Sequence, residues 1–148
     1  MFFPCRTLLL ALLAALFSIT TLAQDSSKRF GDYEVHYSVL NSTFLEPETA
    51  ASYGITRGKN HALINIAVRK HLPDGSNKAQ KAIIRGKSSD LIHSSELEFT
   101  EIVEQEAIYY IAGLRFNDKE LRTFEIKVQP DPNIKPYGLK FNKTLYAQ

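Results

Sequence analysis

The chain has 148 residues, with 18 Lys and Arg against 16 Asp and Glu, a formal net charge of +2 at pH 7. The two signs are interspersed without a basic run, which excludes a nucleic-acid partner chosen by charge. Its one cysteine, Cys5, stands in a leading apolar segment, so everything after that segment lacks a disulfide, a thiolate nucleophile and a thiolate metal site.

Arg6 precedes an unbroken apolar run over residues 8–17, and Thr21-Leu22-Ala23 supplies small residues before a cut. Residues 1–23 are therefore expected to be a signal peptide, removed between Ala23 and Gln24. The run is shorter than the ~20 apolar residues that span a bilayer, so no stable membrane insertion is expected after cleavage. Residues 24–148 form a single domain of ordinary size.

Residues 24–29 are polar and read as a frayed tether. Over residues 33–39, Tyr33, Val35, Tyr37 and Val39 alternate with Glu34, His36 and Ser38, the period of a strand with one buried face. Asn41-Ser42-Thr43 then favours a turn, because short polar side chains bond to nearby backbone. Pro47 suits the first position of a helix, Glu46 and Glu48 suit its positive end, and Gly54 suits its cap.

A second strand covers residues 61–70, with Ala62, Ile64, Ile66 and Val68 on one face. Leu72-Pro73-Asp74-Gly75-Ser76 is a turn. A third strand is predicted over residues 78–86, then a polar loop over 87–95 in which Leu91 and Ile92 make a short apolar contact. Leu97, Phe99 and Val103 share a face of a fourth strand, which Glu104-Gln105-Glu106 closes as a hairpin. Residues 107–114 (AIYYIAGL) are apolar on both parities, which predicts a strand covered on both faces at the centre of a sheet. Residues 116–120 form a turn. Phe124, Ile126 and Val128 mark the next strand, Pro130 and Pro132 end its pairing, and Tyr137, Leu139 and Phe141 mark the last.

About seven short alternating strands predict an all-β fold, an antiparallel two-sheet sandwich of the immunoglobulin-like kind with one short helix after the first strand. A small closed barrel fits the same pattern.

The chemistry is sparse. His36, His61, His71 and His93 lack the spacing that places two imidazoles on one face, so no metal site is expected. No G-x-S-x-G elbow occurs. Gly86-Lys87-Ser88 echoes a phosphate loop, but Lys81 stands where the loop needs glycine. Glu101, Glu104 and Glu106 read as a solvated hairpin end. No catalytic, cofactor-binding or metal-binding residue is assigned. Asn41, Ser42, Thr43, Arg57, Lys59 and Asn60, with Tyr37 and Tyr53 near them, form the candidate binding surface. Each also has an ordinary capping or packing use.

The run YEVHYSVLNSTFLEPETAASYGI, followed by RGKNHALINIAV, SSDLIHSSELEFTEIVEQEAIYYIAGLRF and FEIKV, resembles a family of small exported proteins of Gram-negative bacteria known as a domain of unknown function, DUF4426. Asn41 to Pro47 and Glu106 to Ala112 carry the most specific part of that likeness. The resemblance implies a periplasmic location and no particular activity. The expectation is a non-enzymatic binding or accessory module for a protein or envelope component, of open oligomeric state and without a cofactor. A histidine-assisted hydrolase using His36 or His61, acting on an envelope component, and a small-ligand carrier with an aromatic cavity are the alternatives.

Overall fold

The computed structural model describes residues 26–148, and the expected signal segment, residues 1–23, lies outside them. Ten strands and one helix follow in order: β1 (Ser26–Phe30), β2 (Tyr33–Asn41), α1 (Pro47–Ser52), β3 (His61–His71), β4 (Asn77–Ala79), β5 (Ile83–Ser89), β6 (Ser94–Leu97), β7 (Thr100–Glu104), β8 (Ala107–Arg115), β9 (Glu120–Gln129) and β10 (Tyr137–Leu145). Sheet A has the order β1-β2-β3-β8-β7, with β4 added alongside β3, and sheet B has the order β10-β9-β5-β6. Every pairing is antiparallel. These are two separate sheets with their own edges, so the sandwich holds and the closed barrel does not.

The strands number ten among the described residues, not about seven, for three physical reasons. The supposed polar tether contains an edge strand: Ser26–Phe30 pairs with Tyr37 back to Tyr33. Its Lys28 and Arg29 are exposed charges of the kind edge strands carry. The strand expected over residues 78–86 breaks in two, because β4 belongs to sheet A and β5 to sheet B. The strand expected around residues 97–103 likewise breaks into β6 of sheet B and β7 of sheet A. The Tyr110 hydroxyl secures the first crossing, accepting from Ala82 N at 2.9 Å and donating to Glu101 Oε2 at 3.0 Å. Burial pushes the Tyr110 phenol above its ordinary pKa.

Local chemistry elsewhere acts as its residue types dictate. Pro47 opens α1 and Gly54 follows it with φ +65°, a left-handed conformation that glycine adopts without penalty. Gly75 (φ +87°) closes the turn between β3 and β4, where Asp74 Oδ1 accepts from Ser76 N at 2.9 Å. Gly86 answers a different need. A Cβ there would lie 2.5 Å from Ile126 Cδ1 and 3.1 Å from Glu125 O, so β5 and β9 meet at this point only through glycine.

The core fills the space between the sheets. Val35, Ile64, Ile66, Val68 and Ala112 from sheet A meet Phe124, Ile126, Val128 and Leu139 from sheet B. Three rings link the layers: Tyr37 of β2 lies 4.6 Å from Phe141 of β10, which stacks on Phe124 at 5.0 Å. β3, not β8, is the middle of sheet A, and β8 lies one strand from the edge. Only Tyr110 and Ala112 of β8 are fully buried, while Tyr109 and Ile111 on the other face are half-covered. No helix among the described residues is long and apolar enough to cross a membrane.

The pairing register also defines a pole. Asn41 pairs with Ala62, His61 with Arg115, Glu120 with Leu145, and Ser89 with both Thr123 and Ser94. The ends of β2, β5, β8 and β10 and the starts of β3, β6 and β9 therefore lie together.

Candidate binding surface

Six of the eight candidate residues assemble at this pole, held by short polar contacts. Asn41 Oδ1 accepts from Thr43 N at 3.0 Å and from Thr43 Oγ1 at 2.8 Å. Its Nδ2 donates to Lys59 O at 3.0 Å and to Tyr146 O at 3.4 Å. Ser42, fully buried, donates from Oγ to Gly58 O at 3.1 Å and accepts from Gly58 N at 3.0 Å. Arg57 Nη2 donates to Thr43 O at 3.2 Å, and Asn60 Nδ2 to Phe116 O at 3.2 Å. Gln148 N reaches Lys59 O at 3.3 Å. These bonds fasten the segment between α1 and β3 to the end of β2, the turn after β8 and the C-terminal residues. Arg57 and Lys59 are the exposed members.

The two tyrosines lie elsewhere. Tyr37 points between the sheets into the aromatic stack, as the parity of its strand requires. Tyr53 extends from the end of α1 and donates its hydroxyl to Glu104 on the edge strand β7. That carboxylate raises the Tyr53 pKa, with partial desolvation adding to the effect.

The pole is also where the protein shows its apolar side chains. Among the described residues seven large hydrophobics are exposed, and five of them (Phe44, Leu91, Ile92, Leu121 and Tyr146) belong to this end. Leu91 and Ile92 are 95% and 84% exposed, so the apolar contact expected of them is not made. The turn that carries them is fixed by Asp90. Its Oδ1 accepts from Ile92 N at 2.7 Å and His93 N at 2.6 Å, and its own N–H donates to His93 O at 3.0 Å. Those backbone bonds, from His93 first and then Ile92, hold the Asp90 carboxyl below its usual range. A short side chain thus braces the turn and leaves its two apolar neighbours outward.

A second polar group sits on the outer face of sheet A, toward the opposite end. Glu34 has one carboxylate oxygen 2.7 Å from His71 Nε2 and the other 3.6 Å from His36 Nε2. Its direct cross-strand neighbours are Arg29 and Arg69, yet Arg29 turns to Gly31 O at 2.9 Å and Arg69 to Asn77 Oδ1 at 2.8 Å. Hydrogen bonds from His71 and then Ser27 hold the Glu34 carboxyl below its usual range, outweighing burial, and His36 adds to the lowering. A carboxyl depressed in the folded state stabilises the fold above its unfolded pKa, and that stabilisation is lost as pH falls through the folded value.

The hydrolase alternative needs His36 or His61 beside a carboxylate and a hydroxyl. His36 shares Glu34 with Ser27, but there the carboxylate stands between imidazole and hydroxyl, the wrong order for activating a nucleophile. His36 pairs opposite Ala67 and His61 lies six residues along the same strand, about 20 Å away. The two imidazoles line different concavities. His61 Nδ1 is packed against Gly58, where a Cβ would approach within 2.8 Å, and has no hydrogen-bond partner.

Concavities among the described residues include three on the sheet faces and one of about 500 Å³ at the β7–β8 hairpin. One of about 660 Å³ lies on sheet B over Arg85, Lys127 and Gly138. One of about 370 Å³ runs beneath Tyr53 along Leu63 and Ile111, and one of about 250 Å³ lies over Asn65 and Tyr109. None of them is lined by Asn41, Arg57 or Asn60.

With this geometry in hand, comparison with known proteins identifies the class. The chain belongs to the family described as "Domain of unknown function (DUF4426)", whose model matches residues 27–148. It is similar to the crystallised DUF4426 protein PA0388 of Pseudomonas aeruginosa PAO1, with 32% identity, a TM-score of 0.72, and coverage of 84% of this chain and 96% of that one. It is similar in fold to FetP of uropathogenic Escherichia coli strain F11, solved as a copper-bound E46Q variant (11% identity, TM-score 0.59, 84% of this chain and 96% of that one). A second FetP structure, as isolated after recombinant expression in the E. coli periplasm, matches with 12% identity and a TM-score of 0.54, covering 84% and 95%. No curated protein matches the chain.

Proposed function

We propose that this protein is a periplasmic, immunoglobulin-like binding module without a catalytic role, exported with removal of residues 1–23, that docks a protein partner on the Asn41 pole. One observation carries the reading: five of the seven exposed large hydrophobics among the described residues gather at that end, where Asn41 and Asp90 brace the turns that carry Phe44, Leu91 and Ile92. Clustered exposed apolar side chains on a braced scaffold favour a partner surface over solvent. The aromatic rings of Tyr37, Phe124 and Phe141 are spent on the core and do not wall a small-ligand cavity. The test places a photo-crosslinking residue at Leu91 or Phe44, and as a control at Asp74 on the opposite end. Adducts of defined mass are expected from the first two positions only, and Ile92→Ser should deplete them. Equal adducts from Asp74, or none from the pole, would end this reading.

A second reading is favoured by Glu34, whose oxygens lie 2.7 and 3.6 Å from two imidazole nitrogens. Imidazole and carboxylate together suit a divalent first-row ion, and FetP binds copper in its E46Q form. The likeness to FetP is one of fold. Among the described residues no three His, Cys, Asp or Glu donors are already grouped around one point, so a cation must draw His36 inward. Titrating Cu²⁺ into the protein at pH 7 is expected to raise its melting temperature. The rise should vanish in Glu34→Gln and fade on acidification as imidazoles and carboxylate take up protons. An equal rise in the variant would show adventitious binding elsewhere.

A further inference from the structure

The outer face of sheet B carries two neighbouring rows of side chains that obey opposite rules. In the first, Glu96 of β6, Lys87 of β5, Glu125 of β9 and Lys140 of β10 lie in register, alternating in sign across four strands. Glu125 bonds both lysines, at 3.7 Å each. Opposite charges facing across strands are the arrangement that stabilises a sheet.

The adjacent row breaks that rule. Arg85 of β5 stands directly opposite Lys127 of β9, and Lys127 directly opposite Gly138 of β10. Two like charges face each other, and among the described residues neither has an ion-pair partner. The third place in the row has no side chain at all. Packing does not demand that glycine, since a Cβ at Gly138 meets nothing within 4 Å. The opening above it belongs to a concavity of about 660 Å³, which Lys28 of β1 also lines. With Glu125 already paired to two lysines, Arg85, Lys127 and Lys28, whose Nζ lies 5.2 Å from the Phe30 ring centroid, share the lining of that space, with Glu96 the one other carboxylate in it.

We propose that the Arg85–Lys127–Gly138 row is a binding site for a phosphate-bearing anion. A guanidinium presents a fork of donors that fits phosphate oxygens, and an adjacent ammonium adds a compact charge. A bound anion offsets the repulsion between Arg85 and Lys127, which face each other across the strands. Lipid headgroups and soluble phosphorylated molecules share this chemistry. The site lies on a different face from the Asn41 pole, so either assignment fails without the other.

Binding is measured by co-sedimentation with phosphatidylglycerol vesicles and with net-neutral phosphatidylcholine vesicles, and by calorimetric titration of glycerol 3-phosphate. Binding to phosphatidylglycerol alone assigns a lipid surface, and binding to glycerol 3-phosphate assigns a soluble ligand. In either case Arg85→Gln/Lys127→Gln is expected to weaken binding by about tenfold or more, from the loss of charge-assisted hydrogen bonds. Gly138→Leu should weaken it as well by filling the floor while keeping every charge. The control Lys70→Gln/Lys78→Gln removes the same charge from sheet A and is expected to leave binding within about twofold, as salt-screened distant charges do. No binding to any probe overturns the proposal, and so does an equal loss in the two double variants.

Discussion

Phe124→Ala is expected to lower the unfolding free energy by about 3–5 kcal/mol, the usual cost of removing a fully buried aromatic ring. Phe124 has no exposed surface and stacks on Phe141, which in turn meets Tyr37 from the other sheet. Truncation removes the most deeply buried ring of a three-ring column that joins the layers. Neighbouring Ile126 and Val128 are held by strand pairing and collapse into the space only in part. A domain of this size is stable by about 5–15 kcal/mol in all, so the variant should unfold at markedly lower urea concentration. Phe44→Ala, at an exposed site, is expected to stay within about 0.5 kcal/mol of the parent. A similar small loss for Phe124→Ala would mean that the sheets do not close on this column.

Asn41→Ala should cost about 2–4 kcal/mol, more than most polar substitutions. The side chain is 8% exposed and satisfies Thr43 N, Lys59 O and Tyr146 O together. Alanine leaves those groups short of partners where water reaches poorly, and each orphaned group adds to the loss. Asn41→Asp is expected to recover little. It restores the acceptor for Thr43 but sets a carboxylate against two carbonyl oxygens. Chemical denaturation of the three proteins gives the ranking. If Asn41→Ala leaves stability unchanged while abolishing crosslinking from Leu91, the residue serves the partner and not the fold.

The alternation of β2, β3, β9 and β10 was legible because each carries a regular row of apolar side chains into the core, while the other face is part-covered or exposed. The turn at Asn41, the helix start at Pro47 and the cap at Gly54 were legible because those residues carry their geometry with them. What local pattern hides is where the chain changes sheets. Residues 77–89 carry no turn signal at the change of sheet, and the crossing shows only in long-range pairing and in the bond from Ala82 N to Tyr110, distant in sequence. β1 was missed because an edge strand with charged residues looks like a tether until a partner is known. The half-covered Tyr109 and Ile111 made β8 look central. Their apolar character reflects the grooves on the outer face, not a second buried layer.

The candidate residues divide along the same line. Asn41, Ser42, Thr43, Arg57, Lys59 and Asn60 are close in sequence, and a turn with a short helix brings them together. Tyr37 is equally close but lies within β2 on its inward-facing parity, before the turn begins, and points into the core. Glu34 meets His71 across 37 positions, and Arg85 faces Lys127 only through pairing register. Neither meeting leaves a spacing signal. A like-charged cross-strand pair becomes visible once the register is known.

The exchange of strands between layers also governs how the molecule is made. The chain passes from sheet A to B after β4, back after β6, and to B again after β8. β3 therefore waits for β8, and β5 for β9, each across a long stretch that enters the other layer. Such distant pairing slows folding to milliseconds or longer. A polypeptide emerging amino end first cannot seal its interior until nearly all of it has arrived. Until the β9–β10 hairpin is made, the inner face of sheet A stays uncovered.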